Sequence, residues 1–349
     1  VPENFATIQE AIDYSMDGDT IRVSAGTYYE SINFNGKNIS VIGENRETTI
    51  IAYDANLYNN DLVTVSNGEN INTTLLKNFK LTGQASEPQG RSAILINHNS
   101  GITLDSLYII DNYSPGQGPG VFMNYNGNAN ITNSIISNNH SNSNGGGIYI
   151  ENSEINISNS EISNNSSQGS GGGIHLTNSH LEISHSNFQN NSTLIYAASG
   201  GAIEASISTL FVDETIFQNN STTDTGGAVR LLGSTGEFNN SVFVSNSAGN
   251  CGGGIEAVSS SGLINNSTFS DNYVGASFCG GGVRSVDNSN LDIINSIFYE
   301  NIGTEAHAAS VISFSYSLID YTLINQDGET LIWLDGNITN NPQFNEDYT

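Results

Sequence analysis

An all-β chain, wound as a single-stranded right-handed parallel β-helix of about eleven coils behind an N-terminal amphipathic helical cap, is what this sequence predicts. Three observations carry that expectation. First, a glycine-led motif recurs as Gly145-Gly146-Gly147-Ile148, Gly171-Gly172-Gly173-Ile174, Gly200-Gly201-Ala202-Ile203, Gly226-Gly227-Ala228-Val229, Gly252-Gly253-Gly254-Ile255 and Gly280-Gly281-Gly282-Val283. Its apolar anchors are 26, 29, 26, 26 and 28 residues apart, and the register extends back to Val121, Ile94 and Val63 and forward to Val311. Second, a Ser/Thr-x-Ile/Phe-x-x-Asn motif keeps step with the first, from Ser134–Asn139 through Ser160–Asn165 to Ser296–Asn301. Third, apolar residues alternate with polar ones between the motifs, as in Ile155, Ile157 and Leu181, Ile183. Period-two alternation marks strands with one buried face. Such strands satisfy their backbone and shield their inner face only by stacking coil on coil, about 4.8 Å apart.

The elements follow in chain order. Phe5, Ile8 and Ile12 have helical spacing, so residues 5–16 are expected to form a lid on the open apolar end of the stack. Residues 1–30 are read as this cap and the first strand, 31–330 as coils of about three strands each, and 331–349 as the C-terminal end. Leu331, Trp333 and Phe344 are candidates to close that end, and the parent polypeptide is expected to continue beyond Thr349. The opening Val1-Pro2, with neither Met nor a basic leader, reads as a processed mature domain. The glycines admit turns with positive φ or close backbone approach. Asn139, Asn165, Asn191, Asn220, Asn246 and Asn272 are expected to form an internal ladder at one corner, as residues that tolerate left-handed backbone and bond along the stack. Thr193–Ser199, Tyr273–Phe278 and Ile302–Ala308 vary between coils and are expected to face water. Cys251 and Cys279 hold matching slots one coil apart, within reach of a disulfide but better suited to being two small buried fillers.

Charge narrows the function classes. With 35 acidic and 8 basic residues the formal net charge is −27, which repels nucleic acid and anionic membrane surfaces. No apolar run is long enough to span a bilayer. No cofactor is required by any motif, and calcium is the metal that the acidic surplus suits. Zinc lacks a ligand set.

The run Phe5-Ala6-Thr7-Ile8-Gln9-Glu10-Ala11-Ile12, then Gly18-Asp19-Thr20-Ile21 and Gly26-Thr27-Tyr28-Tyr29-Glu30, resembles the opening of pectate-lyase-like and pectin-methylesterase-like β-helix proteins. The glycine-led and Phe-x-x-Asn repeats resemble those of polymorphic outer-membrane proteins and related bacterial surface proteins. Asn341-Pro342-Gln343-Phe344, with Asp347-Tyr348, is similar to a segment near the end of such helices. The resemblance implies the β-helix fold and an extracellular or bacterial cell-surface location. Fold alone does not choose between the superfamily's lyases, hydrolases, esterases and adhesins.

The residue after each anchor should leave the core, giving an outward column of Phe122, Tyr149, His175, Glu204, Arg230, Glu256 and Arg284. This column is the expected ligand-binding face. His175, Arg230, Glu204, Glu256 and Arg284 are its candidate acid, base and carboxylate-pairing groups, while Phe122 and Tyr149 suit sugar rings. The alternating signs from Glu204 to Arg284 fit a structural charge ladder better than a binding or catalytic role. A calcium-assisted lyase needs clustered carboxylates, but Glu182, Asp213, Glu237 and Asp292 scatter between two columns of the next strand. His98, His140, His180, His185 and His307 read as turn or surface histidines. The expected function is a secreted or cell-surface module that binds glycans or surfaces as a monomer. An extracellular polysaccharide lyase or glycoside hydrolase working along a sheet groove is the alternative.

Overall fold

The computed structural model describes residues 1–53, 60–83, 91–276, 279–326 and 331–339. Asn341–Phe344, Asp347 and Tyr348 lie outside the described residues, as does the last part of the Tyr273–Phe278 stretch. The strands form four parallel sheets of 13, 11, 7 and 12 members, named A, B, D and C in the order a coil visits them. One coil runs Asn128–Thr132 in sheet A, Ile135–Ser137 in B, His140–Ser141 in D and Ile148–Glu151 in C. Eleven strands in sheet B correspond to about ten steps along the stack. The right-handed parallel β-solenoid expected from the repeats is therefore present. Its central coils carry four strands rather than three, because a two-residue strand such as His140–Ser141 follows each ladder asparagine.

The core is one continuous row system. Ile148, Ile174, Ile203, Val229 and Ile255 pair in register on sheet C, all with 0% exposure. The register reaches back to Val121, Ile94 and Val63 as expected. Forward it fails: the partner of Val283 is Ala306, while Val311 belongs to sheet A. The coil after Val283 lacks the glycine turn and the sheet D strand, so the chain returns early. Thr304–Ala308 is consequently a largely buried strand, not a water-facing loop. In sheet B, Phe188, Phe217, Phe243, Phe269 and Phe298 stack with ring centroids 5.0, 4.7, 4.5 and 4.6 Å apart. Burying each ring contributes about 1.5–3 kcal/mol.

Four corners turn the chain, and three of them use one local solution. A residue with left-handed φ is followed by a buried polar side chain that bonds along the stack. At the corner between B and D, Asn139 Nδ2 donates to Asn165 Oδ1 (2.9 Å) and to the Ile109 carbonyl (3.0 Å), and the Asn139 N–H donates to the same Oδ1. This asparagine ladder extends from Asn112 to Asn301. The left-handed residue is its neighbour, Asn138 (φ 55°) or Asn164 (φ 55°), and not the ladder asparagine itself. The other two corners hold serine ladders that pattern reading leaves unassigned. Ser134 accepts the Leu107 N–H and donates to the Thr132 carbonyl, and Ser153 accepts the Gly127 N–H. The ladders thus pair backbone N–H groups at the corners that have no strand partner. Between D and C the glycines serve close approach, since a Cβ on Gly146 would collide with the Gly172 carbonyl of the next coil.

The lid is a helix, α1, over Ile8–Tyr14, shorter than the expected residues 5–16. Thr7 and Glu10 form a capping box at its start. The Glu30 carboxylate accepts the N–H groups of Ile8 and Gln9 (2.9 and 3.0 Å). Lys37 Nζ donates to the carbonyls of Ile12, Asp13 and Ser15 at 2.7, 2.7 and 2.8 Å. Opposite charges at the two ends complement the helix dipole, while Ile8, Ala11 and Ile12 face the core. At the far end Leu331–Trp333 adds a strand to sheet A, with Trp333 against Phe314. Cys251 and Cys279 form a disulfide between successive coils, with α-carbons 5.3 Å apart.

Candidate functional site

Strand pairing on sheet C brings the seven expected column residues into one row, each opposite the next. The row also continues further than expected, through His307 and Asn325. Its accessibility differs from the expectation. Tyr149, His175, Glu204 and Glu256 are only 6%, 8%, 3% and 2% exposed, and His307 is buried as well. The side chains leave the core but stay covered, because the turn entering each strand folds against them. Left-handed Gly171, Gly226 and Gly252 lie so close to the Cβ atoms of His175, Arg230 and Glu256 that no side chain fits at these glycines. Gln117 reaches Tyr149, and Asp224 lies near Glu204. Turn conformation decided by glycine φ is invisible to a period-two reading.

The row divides into two chemistries. Phe122, Tyr149 and His175 stack face to face, with centroids 5.4 Å apart in both pairs and interplanar angles of 9° and 5°. Beyond them runs an ion-pair ladder: Arg230 Nη1 to Glu204 Oε1 at 3.0 Å, Arg230 Nε to Glu256 Oε2 at 3.4 Å, and Arg284 Nη1 to Glu256 Oε1 at 2.6 Å. Where the two meet, His175 Nδ1 and Glu204 Oε2 are buried without hydrogen-bond partners, although His175 Nε2 contacts Thr177 Oγ1 at 3.1 Å. Burial holds the His175 imidazole neutral, pulling its pKa down to about 4. Burial likewise pushes the Glu204 carboxyl up to about 7, against the pull of Arg230. A second such carboxyl lies outside the row. Glu305 replaces the small residue found before the anchor in earlier coils, and takes the last rung's amide, Asn301 Nδ2, at 2.5 Å. Burial raises Glu305 to about 7.

These groups give a pH signature. Glu204 and Glu305 bind protons more tightly folded than unfolded, so their stabilising contribution is complete below about pH 4.5 and is lost as pH rises through about 7. His175 acts in the opposite sense, its contribution being present above about pH 6.5 and lost as pH falls through about 4. The native chain is expected to lose stability relative to Glu204→Gln between pH 5 and pH 8, read as the gap between their urea midpoints. A gap that stays constant would show Glu204 to be ionised throughout.

The sheet A carboxylates do not cluster. Glu182, Glu237 and Asp292 share one column but are separated by Phe211 and Leu263, and Asp213 is in the other column. Among the described residues no three His, Cys, Asp or Glu side chains converge as metal ligands. No helix there is long and apolar enough to cross a membrane.

Fold and column together define a parallel β-solenoid with an internally paired sheet face. The repeat of the Chlamydia polymorphic membrane protein family matches residues 133–151 and 159–177, two coils of the stack. None of the curated proteins matches the chain. Among solved structures, the catalytic domain of a GH87 α-1,3-glucanase in complex with tetrasaccharides is similar over 91% of this chain, at 11% identity and a TM-score of 0.57. The chain spans 64% of that domain. The A-module of the Azotobacter vinelandii mannuronan C-5 epimerase AlgE6 is similar over 96% of this chain and 95% of its own length, at 11% identity and a TM-score of 0.57. At these identities the likeness is one of fold.

Proposed function

We propose that this chain is an extracellular or cell-surface module that engages a polysaccharide laid along its long axis. The observation that carries the reading is the periodic polar surface. Left-handed corner residues repeat coil after coil as Asn126, Asn152 and Asn178, or as Asn138, Asn164, Asn190 and Asn219, all exposed, and their amides run along the stack in rows at the coil spacing, some bonded to the next, as Asn178 Nδ2 is to Asn152 Oδ1 at 2.6 Å. A ligand matching such rows is itself a repeating chain of hydrogen-bonding units. The two similar folds, a glucanase holding tetrasaccharides and a mannuronan epimerase, support the same ligand class.

Turnover is the second reading, and those two folds favour it over simple adhesion. The column places the His175 imidazole opposite the Glu204 carboxyl in register, although both side chains are covered and would have to be uncovered for a polymer to reach them. Retention without cleavage is favoured by the commitment of Glu204, Arg230, Glu256 and Arg284 to one another. The test is incubation with a panel of neutral and acidic polysaccharides, with and without calcium. Unsaturated ends are read by ultraviolet absorbance, reducing ends chemically and binding by affinity electrophoresis. Retention with no new ends is the expected result. Turnover that disappears in His175→Ala would establish the enzyme reading, and neither retention nor turnover would sink both.

A further inference from the structure

One groove on the surface combines features that the fold itself does not need. It has a volume of about 570 Å³ and follows the corner between sheets C and A across four coils, Asn126 to Thr209. Asn126, Asn152, Asn178 and Ile207 form one wall, all with left-handed φ of 62°, 47°, 48° and 50°. Asn128, Glu154, His180 and Thr209, register partners in sheet A, form the other. The ladder serines Ser153, Ser179 and Ser208 lie between the walls.

Ile207 is the anomaly. Left-handed backbone is strained for a β-branched side chain and suits Asn or Gly. The corresponding corner residues in other coils are Asn152, Asn178, Gly233 and Ser259. Ile207 is nevertheless 67% exposed, so the core gains little from it. Backbone strain kept at an exposed apolar residue points to a contact made outside the chain. A second observation is electrostatic. No Lys or Arg lines the groove, whose charged group is Glu154. Elsewhere Lys37 is held by helix carbonyls, Lys77 by Asp105, and Arg230 and Arg284 by glutamates.

We propose that this groove seats a neutral polysaccharide, with Ile207 as the residue that selects it by packing on the C–H face of a sugar ring while the amides of the walls bond its hydroxyls. The inference rests on the polysaccharide reading above and adds the site and the charge class. Repulsion from Glu154 and from the net charge of −27 works against a polyuronate in this groove.

The test is affinity electrophoresis of the whole chain in gels containing dextran, hydroxyethylcellulose or alginate. Retardation is expected in a neutral gel and not in alginate. Ile207→Asn is expected to weaken retention about tenfold, the effect of losing one good apolar contact. The same substitution should raise the thermal midpoint, because asparagine relaxes the left-handed backbone. A purely structural Ile207 would instead lower the midpoint and leave retention unchanged. Glu154→Trp, at an exposed strand position, is expected to fill the groove and abolish retention. Retention that survives both substitutions overturns the groove while leaving the polysaccharide reading intact. Retardation by alginate alone overturns the neutral class, and retardation by none of the three overturns both proposals.

Discussion

Arg230→Met is expected to destabilise the chain by about 3–5 kcal/mol, because it leaves the Glu204 and Glu256 carboxylates buried without their shared cation. The two glutamates are 3% and 2% exposed, so water cannot take over the role of the guanidinium. Chemical denaturation at pH 8, followed by circular dichroism, measures the effect. The loss should shrink at pH 5, where Glu204, with its raised pKa, is neutral in the fold. Replacing Glu204, Arg230, Glu256 and Arg284 together by apolar residues of similar size is expected to be close to neutral or stabilising, since the cost of desolvating four charges disappears with them. A quadruple variant as unstable as Arg230→Met would show that the ladder contributes more than internal compensation.

Asn220→Ala is expected to cost about 4 kcal/mol, as four hydrogen bonds at about 1 kcal/mol each are lost and buried partners are orphaned. The Asn191 N–H and Nδ2 both donate to Asn220 Oδ1 at 3.0 Å, and Asn220 Nδ2 donates to the Phe188 carbonyl at 2.9 Å and to Asn246 Oδ1 at 3.0 Å. Asn220 has 0% exposure, so no solvent replaces these partners. In a solenoid the damage should stay local, with amide exchange accelerating in the coils that hold Asn191 and Asn246 before it does near α1. Asn219→Ala, one residue earlier, should cost about 1–2 kcal/mol at most, the penalty of a Cβ in left-handed backbone. Equal losses for the two substitutions would mean that the corner conformation matters and the ladder does not.

The contrast between those neighbours also shows what can be read without coordinates. The ladder positions are legible because stacking imposes the same demand on every coil, so Asn139, Asn165 and Asn220 recur in phase with Ile148, Ile174 and Val229. Serines 134, 153 and 160 recur equally, but serine is so common in this chain that the two further ladders do not stand out. The alignment of Phe122 through Arg284 follows from period-two alternation. Their covering does not, since it depends on the φ of Gly171, Gly226 and Gly252 and on where the preceding turn lies. The misplacement of Val311 has a similar origin. One shortened coil between Val283 and Ala306 shifts the register, and a hydrophobic residue at nearly the right interval conceals the shift. The groove was missed because Ile207 looks ordinary as a letter and unusual only as a dihedral angle. Glu305 shows the same limit, as its burial depends on the chain returning early to sheet C.

The lid helix gives the rod a direction. Open edges of parallel sheet invite further strands, from the same protein or from another. Here α1 buries Ile8, Ala11 and Ile12 over the first coil, with Glu30 holding its start and Lys37 its finish. A neighbouring molecule approaching that end meets the outer face of a helix, with Glu10 and Asp13 beside exposed Tyr14 and Met16, so the apolar core of the stack is not offered to a second copy there.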